Sequence, residues 1–303
     1  MAGLGLLLVS GMGRSTHYDI SSKGRIFVDV DIKNYTAVEP DFRFGLKYYN
    51  FDLLPSFPTD IFTEDELQRL TASTEEYDKR NKDLSSTIRK KELERLVIEL
   101  SWKSSKIEGN TYTLLDTEKL ILENKAAAGA SKQETRMILN HKDAFDYIRQ
   151  HSSQFKQLTR QNLEELHSIL VKNLSVGFGL RSKPVGVTGS IYRPLDNIHQ
   201  IIDAVNQLSH TVSNLTTPYA KALVTLLGIS YIQPFEDGNK RTSRLMANAI
   251  LVSNQRAPLS YRSVNENDYR EATLVFYELN SIVPFKKIFI DQYEFAARNY
   301  AVK

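Results

Sequence analysis

Within residues 233–244 the chain sets an acid, Asp237, and a turn pair, Gly238 and Asn239, directly ahead of two arginines, Arg241 and Arg244. Residues of these types at this spacing suit an anion, and phosphate above all. Backbone N–H groups left unpaired at a helix start, with the positive end of the helix dipole, attract negative charge, and Gly238 lets the backbone approach it closely. Arg241 and Arg244 lie three apart on one helical face, where both guanidinium groups can fork onto phosphate oxygens. Asp237 supplies the hard oxygen ligand that a phosphate-bound Mg²⁺ takes. The elements needed to position these groups are legible on both sides. Upstream, Tyr219, Leu223, Leu226, Leu227 and Ile232 fit one apolar helix face that Pro234, Gly238 and Asn239 interrupt. Downstream, Leu245, Met246, Ala249 and Ile250 repeat at helical spacing, with Asn239 expected as the cap. The simpler alternative for any one of these features is a capped helix carrying surface arginines; it is their combination that favours a site.

Two further segments stand out. Leu93, Leu96, Val97 and Leu100 mark one face of a helix expected over 88–107, and Gly109 follows as a left-handed stop. Its last turn carries Ser104 and Glu108; a glutamate there is ordinarily solvated. Residues 183–194 alternate apolar residues with glycines between two prolines, the pattern of a short hairpin. An exposed strand edge on it, with Val185, Gly186, Val187, Thr188, Gly189 and Tyr192, can take an extended peptide by main-chain hydrogen bonding, although such hairpins are also common connectors.

Taken together these residues resemble the Fic (filamentation induced by cAMP) family, whose signature is His-x-Phe-x-(Asp/Glu)-Gly-Asn-Gly-Arg-x-x-Arg. Phe235, Asp237, Gly238, Asn239, Arg241 and Arg244 match it; Gln233 stands in the place of the histidine, and Lys240 in that of the second glycine. Ser104, Glu108 and Gly109 fit the family's inhibitory pattern (Ser/Thr)-x-x-x-Glu-(Gly/Asn), here on the N-terminal side of the core. The resemblance implies a mainly α fold: a Fic-type helical core with a short β-hairpin flap and an N-terminal extension carrying an inhibitory helix. It implies an adenylyltransferase that moves AMP from ATP, with Mg²⁺, to a Ser, Thr or Tyr hydroxyl of a target protein docked on the flap. Phe235, Gly238, Asn239, Lys240, Arg241 and Arg244 would bind the nucleotide and Asp237 the metal. Glu108 would pair with Arg244 and occupy the space of the γ-phosphate.

The family's histidine is the general base, worth about 10²–10⁴-fold in rate, and a glutamine amide cannot accept its proton. Gln233 therefore implies retained nucleotide binding with most transfer lost, so a nucleotide-binding pseudoenzyme is the alternative. Lys240 resembles the Doc toxins, which implies a reversed nucleotide and phosphoryl transfer, but Doc-like chains have Ala at Gly238 and lack Arg244.

Composition is consistent with one large core. At 303 residues, 41% hydrophobic, with a net charge of +3, the chain buries a substantial interior and shows no electrostatic footprint for nucleic acid. The absence of cysteine excludes disulfides and thiolate metal sites, and the six histidines form no zinc pair. The apolar run 4–9 is too short to span a bilayer and lacks a basic flank, so neither a secretion signal nor a membrane anchor is read and the expected location is cytoplasmic. Met12 is an alternative start. Residues 1–60 are expected as an extension with a strand over 26–32, 61–115 as a helical region with the inhibitory motif, and 116–303 as the Fic core. Self-association is left open.

Overall fold

The computed structural model describes residues 2–303; Met1, and with it the expected start of the extension, lies outside. Among these residues the chain is helical apart from one small antiparallel sheet. Strands β1 (Leu7–Ser10) and β2 (His17–Ile20) pair Leu7 with Ile20 and Ser10 with His17. Twelve α-helices follow among the described residues: α1 (Ser22–Ile26), α2 (Ile32–Ala37), α3 (Glu64–Asn81), α4 (Ser86–Ile107), α5 (Leu114–Glu123), α6 (Lys132–Gln150), α7 (Arg160–Leu170), α8 (Ile198–Asn214), α9 (Pro218–Ile232), α10 (Asn239–Ser253), α11 (Glu266–Leu279) and α12 (Val283–Asn299).

The helix starts are written locally. Thr63 with Glu66, and Ser131 with Glu134, form capping boxes at α3 and α6, and Ser85, Thr113, Thr159, Asn197, Thr217 and Asn265 accept from the first-turn amides of their helices. The helical region expected over 61–115 accordingly holds separate helices α3 and α4, because Ser85 opens a new one, and the helix expected over 88–107 begins two residues earlier, at Ser86.

Helices α9 and α10 form the centre and pack most extensively on each other. Helix α9 is buried on nearly every side, and α8 comes so close to it that a Cβ on Gly228 would sit 2.4 Å from Leu208 Cδ1. Helices α6 and α7 cover α10, α4 crosses it near its start, and α12 pairs with α3.

Two expectations are corrected. Residues 26–32 form no strand: Ser21 caps α1 by accepting from Gly24 N at 2.9 Å, and Asp31 caps α2 by accepting from Asn34 N at 3.1 Å. The alternating apolar residues are used instead to pack helices, Ile26 entering the main core and Val30 and Ile32 meeting Tyr35, Val275 and Leu279. Residues 183–194 do not pair with each other as a hairpin; the hairpin among the described residues is β1–β2. They turn at Gly189 (φ +75°), where Ser190 N donates to Val187 O at 3.2 Å, and then run beside residues 47–48, Arg193 N donating to Lys47 O at 2.8 Å. Pro184 and Pro194 lack the N–H groups that would help close a ladder, and the partners of this segment come from distant parts of the chain.

Candidate active site

The site begins where α9 stops. Gln233 adopts the left-handed conformation (φ 51°, ψ 58°) and closes the helix with its N–H on Ile229 O at 3.0 Å. Its side chain folds back, Nε2 donating to Ser230 O at 2.6 Å. The loop that follows is braced from inside. Phe235 is wholly buried with its ring stacked 3.6 Å from His167 of α7, and His167 Nε2–H donates to Asp237 O at 3.0 Å. That bond fixes the tautomer, and burial pushes the imidazole pKa down to about 4, so the ring is neutral. Arg181, also buried, donates to the carbonyls of Gln233, Lys183 and Leu195 at 2.7, 2.7 and 2.5 Å, tying the loop to both sides of the 183–194 segment.

Gly238, at φ 80°, turns the chain into α10. Asn239 is not the cap expected of it. It is the first residue of α10, and its side chain spans the loop, accepting from Phe235 N and donating to Phe235 O, both at 2.8 Å. With no side chain capping this helix, its first amides stay available to an anion.

The two arginines take different partners. Arg241 is 2% exposed and its Nη2 lies 3.0 Å from Asp237 Oδ2, while the Asp237 side chain is 62% exposed. Arg244 is fully buried. Its Nε and Nη2 donate to Ser104 Oγ (2.9 Å) and Ser104 O (2.8 Å), Nη2 lies 2.8 Å from Glu108 Oε1, and the guanidinium sits 5.6 Å from the centre of the Tyr269 ring. The end of α4 is thereby fastened to α10. Gly109 (φ +94°) ends that helix, and Arg270 donates to Ile107 O. Burial alone would raise the Glu108 carboxyl, but Arg244, Lys240 and Arg241 together hold it below its ordinary range.

A cavity of about 290 Å³ opens above the loop, walled by Glu108, Gln233, residues 236–241, Met137 and residues 185–188. A second, of about 410 Å³ and more apolar, shares Glu108, Val187, Thr188 and Lys240 and adds Ile107, Tyr269, Leu274 and Tyr277. Val185, Gly186, Val187 and Thr188 thus face the site. Gly189 lies at the turn beyond it, and Tyr192 is core, 1% exposed with its hydroxyl bonded to Tyr231 O, so it offers a docking peptide nothing. Phe235 likewise supports the loop from beneath rather than facing the cavity. Sequence reasoning passed over His167, Arg181, Tyr269 and Met137; each sits in an ordinary-looking segment, and only folding brings it to the loop.

Among the described residues no three His, Asp or Glu side chains are grouped to cage a metal. Asp237 offers an exposed carboxylate at a cavity that Glu236 and Glu108 also line, and one such oxygen fits an ion held otherwise by substrate phosphates.

Residues 157–251 match the Fic/DOC family. The chain is 29% identical over 175 residues to a protein adenylyltransferase Fic of Nematostella vectensis, an alignment covering 56% of this chain and 41% of that protein. The chain therefore spans about two-fifths of that relative's length. Among solved structures, a Fic family protein from Desulfovibrio desulfuricans superposes with a TM-score of 0.66 at 20% identity, covering 80% of this chain and 75% of that one. A segment of Fic-1 from C. elegans does so with a TM-score of 0.65 at 17% identity, covering 78% and 72%. These likenesses show the fold.

Proposed function

We propose, from the match of residues 157–251 to the Fic/DOC family, that the chain is a protein adenylyltransferase restrained by its own Glu108. It moves AMP from ATP to a Ser, Thr or Tyr hydroxyl of a protein whose extended segment docks along residues 185–188. The observation that carries the reading is the Arg244–Glu108 pair at 2.8 Å beside an uncapped helix start. One arginine of the phosphate motif is already occupied by a carboxylate standing in the cavity wall. In this reading residues 61–115 are the inhibitory region, 116–303 the catalytic core and 1–60 an extension.

In the transfer, the acceptor oxygen forms a bond to the α-phosphorus, the bond from that phosphorus to the β-phosphate bridging oxygen breaks, pyrophosphate leaves, and the hydroxyl proton passes to a base. The α10 amides and Arg241 bind the phosphates, and the apolar cavity at Tyr269, Leu274 and Tyr277 receives the base of the nucleotide. A Mg²⁺ held by Asp237 would neutralise phosphate charge. Released from Glu108, Arg244 adds a second guanidinium to the phosphate chain. Gln233 occupies the position from which the proton would be taken, and its amide, anchored on Ser230 O, cannot take it. That last observation favours a second reading, a nucleotide-binding pseudoenzyme. In this reading the protein works in the cytoplasm, one compartment that supplies ATP; among the described residues no helix is long and apolar enough to cross a membrane.

Incubation with α- and γ-labelled ATP separates these readings. The chain as written is expected to bind ATP and label weakly, and Gln233→His combined with Glu108→Gly to transfer the α-label to protein, with Asp237→Ala abolishing it. Transfer of only the γ-label would establish a phosphotransferase of the kind Lys240 suggests. Bound ATP with no label in any variant would leave the pseudoenzyme.

A further inference from the structure

Glu278, in the last turn of α11, lies outside both cavities and is fully buried. Its Oε1 accepts from Ser190 Oγ at 2.6 Å and from Ile191 N at 3.2 Å, just past the 185–188 wall. Its Oε2 accepts from the Tyr35 hydroxyl at 2.7 Å and faces Arg43 Nε at 3.5 Å, and its main-chain carbonyl accepts from Leu46 N at 2.6 Å. Arg43 also donates through Nη2 to Gly189 O. One carboxylate therefore joins the cavity wall to a segment about 150 residues earlier in the chain.

Burying a charge pair is costly unless its remaining lone pairs and protons are satisfied, and an apolar contact of similar volume often stabilises as well. What a hydrogen-bonded carboxylate supplies, and an apolar contact does not, is a fixed geometry. The 185–188 stretch needs such fixing. Among the described residues its backbone–backbone bonding is limited to Val187 O accepting from Ser190 N, so its placement depends on what holds residues 189–191. The same junction inverts the usual pattern in the N-terminal segment: Arg43 is 7% exposed, whereas Phe42 and Phe44 on either side are 83% and 73% exposed.

We infer that Glu278 is a positioning residue: by clamping residues 189–191 against Tyr35 and Arg43, it holds the 185–188 edge in register for an incoming target segment. The role in docking rests on the adenylyltransferase reading; the clamp itself does not.

Hydrogen–deuterium exchange on the full chain tests the clamp without any turnover. Tyr35→Phe removes a hydroxyl that touches Glu278 and makes no hydrogen bond to residues 185–193. It is expected to raise exchange in 185–193 by about tenfold, while α9, α10 and ATP affinity stay unchanged. Ser190→Ala, a mild surface-side change, should do the same. Unchanged exchange at 185–193 in both variants, or a rise spread equally through α9 and α10, overturns the inference. In the Gln233→His, Glu108→Gly background, Tyr35→Phe should raise the KM for α-casein, an unfolded hydroxyl-bearing acceptor, and leave the KM for ATP unmoved. An equal change in both, or in neither, overturns the positioning role. If that background transfers nothing at all, the proposed activity fails, and the exchange result alone decides on the clamp.

Discussion

Arg244 is a cation with no solvent contact, held by Ser104, Tyr269 and Glu108, and its environment makes Glu108 the most consequential single residue. Removing one partner of a buried charge pair costs about 3–5 kcal/mol, so Glu108→Gly should melt at a lower temperature than the parent in ligand-free buffer. The same change frees Arg244 for phosphate, so ATP should bind more tightly and offset part of the loss; calorimetry beside thermal melts checks both signs. The pair also has a pH signature. A carboxyl held below its ordinary value of 4.5 contributes stability that is complete above that pH and is lost as the pH falls through the depressed folded value. The stability gap between the parent and Glu108→Gln should therefore be constant above pH 4.5 and close below it, as denaturant titrations at several pH values would show.

At the scale of elements, α7 serves the site without lining it. His167 braces the loop while neutral, with a folded pKa of about 4 against 6.5 for a free imidazole. For a base whose pKa is lowered by folding, the unfolded chain takes the proton first, so stability is complete above pH 6.5 and declines as the pH falls towards 4. That loss amounts to roughly 3 kcal/mol, and it should be absent from the pH–stability curve of His167→Phe, which keeps the stacked ring but cannot titrate, and so appear in the parent-minus-variant difference. The α8–α9 contact gives a separate test. A methyl on Gly228 collides with buried Leu208, and overpacking of this kind costs about 1–3 kcal/mol, so Gly228→Ala should lower the denaturant midpoint with little change in slope.

Across the whole molecule, the N-terminal segment is part of the fold's working geometry. Its residues 43–48 reach the turn at Gly189, the strand-like stretch at Arg193 and the end of α11. Gly45 makes that route passable: at φ 151° it occupies a conformation that side chains rarely adopt, and a Cβ would stand 2.7 Å from Glu278 O. Gly45→Ala is expected to pull this segment off α11, read as faster tryptic cleavage after Lys47 while the α9–α10 core keeps its protection from exchange.

What the sequence determined by itself is local. The helical repeat of α9 and α10, the turn chemistry between them and the Ser104, Glu108 and Gly109 triplet are fixed by residues within a few positions of one another, so they could be read in order along the chain. The apolar alternation over 26–32 suggests a strand, whereas the equally local caps at Ser21 and Asp31 make two short helices; such side-chain bonds compete directly with a strand. Other features needed the tertiary structure because their partners are remote. Arg244 meets Ser104 across 140 residues and His167 meets Asp237 across 70. The 183–194 segment takes its partners from residues 43–48 and from Glu278 instead of folding on itself. Asn239 could cap its helix or brace the loop, and the buried position of Phe235 against His167 decides for the brace. Propensity and spacing rank the conformations open to a segment; which buried polar groups it must satisfy is set only when distant elements arrive.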